Sequence, residues 1–271
     1  MIRFFRQIRH RLITENKFSK YLLYAVGEIL LVVIGILIAL QVDSWNEDKQ
    51  NLKVERVFYS DILGDLNKDS LKLEGLTQFY KNRIENAGWL LRKVRTPGSI
   101  VDGREIGKHV QPLYLGASSI TYNSTYEASK SSGDFAYFRN KDILKNINQY
   151  YADFGELSGI LTATTRWLET SLEPILSTYP ENYITAESGS YVLTSELDDL
   201  SELFEFITAI EDTRDLPLEI ENILKRPEFE NYLTGDLGRS FNALASIERR
   251  MQRMEMLKME IVTYLEELNQ Q

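Results

Sequence analysis

Side chains with the types and spacing needed for catalysis are scarce in this sequence. The two histidines, His10 and His109, lie far apart, and no cysteine is present, which excludes disulfides, thiol catalysis and cysteine-ligated metals. No phosphate-binding glycine loop and no nucleophile elbow occurs. The adjacent Lys130 and Ser131 could form a serine–lysine dyad, but no surrounding motif supports one. We therefore predict no cofactor and no metal site, and we favour a non-enzymatic protein.

One ionisable side chain, Glu28, lies inside the most apolar run of the chain, YAVGEILLVVIGILIALQV at residues 24–42. As a helix, residues 22–42 would be about 31 Å long, close to the hydrocarbon thickness of a bilayer. A buried core helix and a cleaved signal peptide are the alternatives. Unbroken apolar sequence at residues 29–40 is unusual in a soluble domain, and the following ALQVDSW is a poor cleavage site. We predict an uncleaved transmembrane helix at residues 21–42.

Charges that flank this segment predict its orientation. Six basic residues precede it, whereas Asp43, Glu47 and Asp48 follow it, so the positive-inside rule places the N-terminus in the cytoplasm. We predict a bacterial inner-membrane location, with residues 43–271 forming a periplasmic domain.

Residues 1–20 combine apolar residues at helical spacing with basic ones, which predicts an amphipathic segment on an anionic inner leaflet. A tail that serves only to set topology is the alternative. The residues predicted to contact the membrane surface are Arg3, Arg6, Arg9, Arg11, Lys17 and Lys20.

Net charge is unevenly distributed along the chain. The whole sequence carries −9, but residues 1–20 carry +5, so the remaining residues carry −14. An acidic balance of this size argues against nucleic acid as a partner.

Glu28 admits three interpretations. Its carboxylate could reach the cytoplasmic headgroups, it could face another helix, or it could line an ion path in an oligomeric channel. Gly35 and Ala39 form a small-xxx-small pair on the same helical face, and such pairs let helix backbones approach closely. We favour self-association or pairing with the helix of a membrane-protein partner. The predicted packing seam consists of Tyr24, Glu28, Leu31, Gly35 and Ala39.

The part after the membrane segment is predicted to be all-α, built from long packed helices. A first helix at residues 45–95 could continue the membrane helix, and Pro97-Gly98 should end it. Only Asp69 and Arg83 interrupt its apolar series. Further helices are predicted at residues 104–110, 124–132, 140–177 and 236–268. The segment at 188–195 is the one strand-like stretch, and the acidic run at 196–222 suits a solvated helix face.

Local signals mark the ends of the predicted helix at 124–132. Ser124 could cap its first turn with Glu127 in the reciprocal position, and Gly133 could end it.

The last helix carries apolar residues at heptad a and d positions, with Lys258 as the polar exception. Such a stripe could form a coiled coil between chains or pack within its own domain, and the sequence leaves both open. The stripe consists of Leu244, Ile247, Met251, Met254, Ile261, Leu265 and Leu268.

Several short motifs resemble those of a known family. They are Gly27-Glu28-Ile29, Ala39-Leu40-Gln41, Ser44-Trp45-Asn46-Glu47, Thr125–Glu127, Lys130–Gly133 and Arg139–Lys141. With them the chain resembles an uncharacterised family, a domain of unknown function, of single-span inner-membrane proteins of Gram-negative bacteria. Ser44 departs from the usual asparagine of that family. The resemblance covers residues 1 to about 155, implies an inner-membrane location and supplies no activity.

Taken together, these features predict a scaffold, accessory or sensor-like subunit that acts through helix-mediated self-association or partner binding. A membrane-tethered periplasmic enzyme or ligand-binding domain is the alternative, with a pocket near Lys130 and Arg139. An oligomeric channel lined by Glu28 is the third possibility.

Overall fold

The computed structural model describes residues 18–96, 98, 101–179, 209 and 219–270. Within these ranges all regular secondary structure is helical, so the predicted all-α class is confirmed there. Residues 1–17, the strand-like stretch at 188–195 and most of the acidic run at 196–222 lie outside the described residues.

Helix α1 is a single 77-residue helix, Phe18–Val94. The prediction that the membrane helix continues into the following long helix is therefore confirmed. No proline occurs between residues 45 and 95, so the hydrogen-bond ladder meets no interruption there. The helix ends at Val94, and Gly98 then takes a φ of +79°, a conformation that favours glycine.

Two compact units divide the chain. One comprises Met1–Val57 and Ala136–Phe138, and the other comprises Phe58–Phe135 and Arg139–Gln271. The apolar part of α1 belongs to the first unit. Residues 58–94 of α1 and the remaining helices build the second. Those helices are α2 Gly103–Val110, α3 Ser124–Ser132, α4 Lys141–Ala152, α5 Phe154–Trp167, α6 Glu173–Leu176 and α7 Pro227–Asn269.

An apolar core joins the last turns of α1 to α2, to the segment around α6 and to the start of α7. Ala87, Leu90, Ile106, Leu172 and Phe229 are among its fully buried members. Farther along, α7 packs against both α4 and α5. Burial of these side chains is the main favourable term in folding this unit, at about 25 cal/mol for each Å² of apolar surface removed from water.

The long helix predicted at residues 140–177 is broken in the structure. Helix α4 ends at Ala152 and α5 begins at Phe154, with Asp153 between them. A π-helical turn, Leu168–Leu172, then follows α5, and the amide of Glu173 donates to Leu168 O. Pro174 lacks an N–H group and so cannot continue the regular ladder, which accounts for a disturbed turn just before it.

Two helix starts also differ from the predictions. Helix α7 begins at Pro227 rather than at residue 236, because Phe229, Tyr232 and Leu233 continue its buried face. Proline suits this first turn, where its missing N–H group has no partner to lose. Helix α3 is preceded by Asn123, which forms no side-chain capping bond, so the predicted Ser124–Glu127 cap is wrong. The predicted end at Gly133 is confirmed, with a φ of +83°.

Candidate functional site

The apolar part of α1 is exposed throughout residues 26–42. Its most hydrophobic 18-residue window has a mean hydropathy of 2.5, and none of that window is buried by the rest of the chain. Ile29 and Leu31 are 65% and 71% exposed. By length and composition, α1 is the one helix of the described residues that could cross a membrane.

The predicted packing seam lies on this exposed stretch. Glu28, Leu31, Gly35 and Ala39 are all exposed, and Tyr24 belongs to the same helix although its side chain lies outside the described residues. A Cβ atom placed on Gly35 would have no described atom within 4 Å. Intrachain packing therefore gives no reason for a glycine at this position.

The predicted membrane-surface residues fall almost entirely outside the described part of the chain. Arg3, Arg6, Arg9, Arg11 and Lys17 lie there, whereas Lys20 lies in the first turn of α1. Contact of these residues with lipid stays a prediction.

The predicted interaction stripe on α7 is only partly exposed. Ile247, Met254, Ile261 and Leu268 are buried within the chain, whereas Leu244, Met251 and Leu265 are half-buried. Pairing between chains through this stripe stays a prediction. The buried face of α7 is offset by one residue from part of the stripe, because it includes Ala243, Arg250 and Leu257.

Arg83 of α1 and Asp236 of α7 form a buried ion pair. Their side chains are 1% and 0% exposed, and Arg83 Nη2 and Nε donate to the two Asp236 carboxylate oxygens at 2.7 and 3.0 Å. Arg83 also donates to Leu115 O and to the Tyr232 hydroxyl. Burial alone would lower the pKa of Arg83, but the facing carboxylate of Asp236 raises it overall. The guanidinium is therefore charged, and each of its three nitrogens donates at least one hydrogen bond.

Asp69 of α1 forms a second buried polar cluster. Its carboxylate accepts hydrogen bonds from Thr121 Oγ1 at 2.6 Å, from the amide of Tyr122 at 2.8 Å and from the Tyr150 hydroxyl at 2.8 Å. Arg250 of α7 lies 3.7 Å from the same carboxylate. Burial raises the pKa of Tyr150, so its hydroxyl stays protonated and donates.

These two clusters hold the irregular segment at residues 115–123, which has no regular secondary structure. Arg83 binds Leu115 at one end, and Asp69 binds Thr121 and Tyr122 at the other. Between them, a Cβ atom on Gly116 would lie 2.7 Å from Thr165 Cγ2, so only glycine fits without a shift of Thr165. Asp69 and Arg83, the two breaks in the apolar series, therefore have a structural role in this unit.

His109 lies on α2 and is fixed in one tautomer. Its Nδ1 lies 2.7 Å from Asn86 Oδ1, and the Asn86 amide nitrogen donates to Asn82 O and Asn82 Oδ1. Since an amide oxygen can only accept, Nδ1 carries the proton. The ring stacks on Trp89 with the centroids 3.9 Å apart. Nε2 faces Glu105 Oε1 at 3.5 Å.

The pKa of His109 predicts a pH dependence of stability. Burial lowers this pKa below its usual value of 6.5, although Glu105 opposes the shift. The unfolded chain therefore takes up a proton at higher pH than the folded chain. We expect the stability contributed by neutral His109 to be complete above pH 6.5 and to fall as pH decreases below it. Urea unfolding gives the free energy of unfolding of wild type and of His109→Gln between pH 7.5 and 5.5. The difference between the two proteins at each pH measures the contribution of His109. Equal pH dependence in the two proteins would contradict it.

The chemical options of the described residues are limited. No group of three or more His, Asp or Glu side chains that could hold a metal ion occurs among them. The Ser131 hydroxyl donates to Glu127 O, and Lys130 Nζ lies 5.3 Å from the centre of the Tyr126 ring. These two side chains thus point to different partners, which disfavours the dyad considered from the sequence.

Comparison with known proteins adds one finding. Residues 28–155 match DUF6090, a family of unknown function. The predicted resemblance to an uncharacterised family is thus supported over this range, just under half of the chain. The range contains the seam from Glu28 onward, both interrupting residues of α1 and the irregular segment at 115–123. No curated protein and no solved structure matches the chain.

Proposed function

We propose that this chain is a single-span bacterial inner-membrane protein, with its N-terminus in the cytoplasm and residues 43–271 in the periplasm. It acts as a scaffold, accessory or sensor-like subunit through association of its membrane helix with a second copy. The observation that carries this proposal is the exposed apolar stretch of α1, which bears Glu28, Gly35 and Ala39 on one face.

An apolar helix surface of this length needs an apolar environment. Side chains such as Ile29, Leu31 and Ile38 are each 60% or more exposed, and leaving such a side chain in water costs about 1.5–3 kcal/mol relative to burying it. A bilayer would cover the apolar side chains on every face of the helix. The backbone polar groups need no water there, because the helix hydrogen-bonds them internally.

The charge pattern supports the orientation. The basic residues at 1–20 precede the apolar stretch and the acidic residues Asp43, Glu47 and Asp48 follow it, which is the arrangement of an N-in protein.

The seam supports association rather than a solitary anchor. An acidic side chain within a membrane helix costs up to about 3 kcal/mol, and a partner that hydrogen-bonds to it offsets part of that cost. Gly35 and Ala39 lie about two and three helical turns after Glu28 on the same face, and they provide a shallow surface for a second helix. Two copies that meet on this face would also bring their Glu28 side chains together.

Substitution at Gly35 tests the association. In Gly35→Leu the added side chain keeps the backbones apart, so we expect the dimer fraction of the detergent-solubilised chain to fall at least tenfold. Val33→Leu lies on the opposite face of the same helix and is the matched control, with an unchanged dimer fraction. Native mass spectrometry of the intact chain measures both. A wild-type monomer, or equal dimer fractions in the two variants, would refute the seam.

Glu28→Gln separates contact of Glu28 with a second helix from contact with the cytoplasmic headgroups. If the Glu28 side chains of two copies bond across the seam, the glutamine amide can still form a hydrogen bond but cannot reproduce the bond between two carboxyl groups. We then expect the dimer of Glu28→Gln to be several-fold weaker than that of wild type. An unchanged dimer would mean that the carboxylate reaches the headgroups instead.

A further inference from the structure

Trp45 is the first aromatic residue after the apolar stretch of α1. It lies three residues after Val42, so its Cα is about 4.5 Å farther along the helix axis. Its side chain is 59% exposed, so burial within the chain does not explain a tryptophan at this position. Tryptophan is enriched where membrane helices leave the hydrocarbon, because its ring is apolar and its N–H group is polar.

Lys49 lies one turn after Trp45 and covers its ring. The ammonium nitrogen Nζ of Lys49 is 3.7 Å from the centre of the Trp45 ring. Because helical side chains point towards the N-terminus, the Lys49 side chain extends back along α1 towards the apolar stretch. Its positive charge therefore lies at the level of the indole, although the Cα of Lys49 is about 10.5 Å beyond that of Val42.

The polar groups of this pair have no acceptor within the described part of the chain. No hydrogen bond or ion pair joins Trp45 or Lys49 to another residue there. The positions three and four residues before and after Lys49 hold no acid, so no carboxylate lies one helical turn away. Both donors are therefore available to an acceptor outside the chain.

Charged residues just after the apolar stretch are segregated around α1. Measured from Lys49, Trp45 and Lys53 each lie about 40° away around the helix axis. The acidic residues are each about 100° or more away from Lys49, and they are Asp43, Glu47 and Asp48. The face that carries Trp45 is therefore locally basic, which favours an anionic partner although the whole chain is acidic.

The seam leaves this face uncovered. Gly35 and Ala39 lie about 80° and 120° from Trp45 around the helix axis. A second copy that contacts the seam would therefore leave Trp45 and Lys49 beside lipid. The headgroup region extends about 5–8 Å beyond the hydrocarbon on each side of a bilayer, which includes the level of the Trp45 ring and the Lys49 ammonium group.

We propose that Trp45 and Lys49 bind the phosphate of a phospholipid headgroup in the periplasmic leaflet, and so fix the depth of α1 in the membrane. The Lys49 ammonium group donates to phosphate oxygen atoms, and the Trp45 indole N–H donates to a phosphate or ester oxygen. This site rests on the membrane span proposed for α1, because residues in water would meet no headgroup.

Tryptophan quenching by brominated lipids tests the depth of the pair. The full chain and Trp45→Phe are reconstituted in vesicles of phosphatidylethanolamine and phosphatidylglycerol, and the difference between their emissions is that of Trp45. Trp89 and Trp167 belong to the other compact unit and cancel in this difference. We expect bromines at the carbonyl end of the acyl chains to quench Trp45 at least twofold more strongly than bromines near the methyl end. Equal quenching by the two lipids, or none, would overturn the proposal.

Val33→Trp in the Trp45→Phe background separates this site from the span itself. Val33 is 46% exposed and lies about 13.5 Å before Val42 along the helix axis, near the middle of a bilayer. We expect the opposite preference there, with stronger quenching by bromines near the methyl end. If Val33→Trp shows this preference and Trp45 is not quenched, the span stands and the headgroup site is refuted. Absence of quenching at both positions would refute both.

Solid-state NMR of the reconstituted chain tests the contact of Lys49 with phosphate. Dipolar coupling to lipid phosphorus dephases the signal of lysine ammonium nitrogens that lie close to it. We expect Lys49→Gln to lower the dephased signal by the share of one lysine. Lys145→Gln removes the same charge from an exposed position of α4 and is the matched control, with an unchanged dephased signal. Equal dephased signals in the two variants would refute the role of Lys49.

Discussion

Replacing Asp236 by Asn is expected to lower the free energy of unfolding by about 3–5 kcal/mol. The substitution leaves the shape of the side chain almost unchanged but removes the negative charge that faces Arg83. Because Arg83 is 1% exposed, its positive charge would remain buried without a counterion. The loss of that counterion is the physical origin of the expected effect.

The exposed pair of Arg95 and Glu230 provides a matched control. It joins the residue that follows α1 to α7, and its N–O distance of 2.7 Å equals that of Arg83 and Asp236. The side chains of Arg95 and Glu230 are 58% and 38% exposed, however, so water screens their attraction. We expect Glu230→Gln to cost less than about 1 kcal/mol. Urea unfolding of the two variants measures the difference, and similar losses would contradict the importance of burial.

The double variant Arg83→Met/Asp236→Leu separates the cost of an unpaired charge from the value of the pair. Replacing both members of a buried ion pair by apolar residues is often tolerated, because the desolvation cost of both charges disappears. We expect the double variant to be more stable than Asp236→Asn. A double variant less stable than the single one would show that the bonds to Leu115 and Tyr232 contribute more than the charge balance.

Asp69→Ala is the second substitution with a large expected effect. It removes the acceptor of three hydrogen bonds, from Thr121, from the Tyr122 amide and from Tyr150. A buried donor left without a partner costs about 1–3 kcal/mol, so we expect a total loss of about 3 kcal/mol or more. The irregular segment at residues 115–123 should also open locally, because one of its two attachments is lost.

Hydrogen exchange followed by mass spectrometry checks the local part of this prediction. We expect peptides covering residues 115–123 to exchange faster in Asp69→Ala than in wild type. Asp61→Ala, at an exposed position two turns earlier on α1, is the control and should leave both exchange and stability unchanged. Unchanged exchange at 115–123 in Asp69→Ala would contradict the anchoring role.

The sequence predicted the class of fold and the extent of α1, because hydrophobic periodicity and the absence of proline act locally. It also identified Asp69 and Arg83 as interruptions of an apolar face. Their partners could not be predicted, since Asp236 and Tyr150 lie far away in sequence and only tertiary structure brings them close.

The errors have similar causes. A heptad reading of α7 locates its buried face only to within one residue, because Ala243, Arg250 and Leu257 are buried directly before the stripe positions Leu244, Met251 and Lys258. The break at Asp153 carries only a weak local signal, because aspartate lowers helix propensity by a few tenths of a kcal/mol.

The claim that α1 spans the membrane once, with residues 43–271 outside the cytoplasm, is tested most directly by cysteine accessibility. The chain has no native cysteine, so a single introduced thiol reports one position without background. A membrane-impermeant maleimide is applied to intact Gram-negative cells that produce either Lys17→Cys or Glu266→Cys. The account predicts that Glu266→Cys reacts in intact cells and that Lys17→Cys reacts only after lysis. Labelling of Lys17→Cys in intact cells, or protection of Glu266→Cys until lysis, would contradict it.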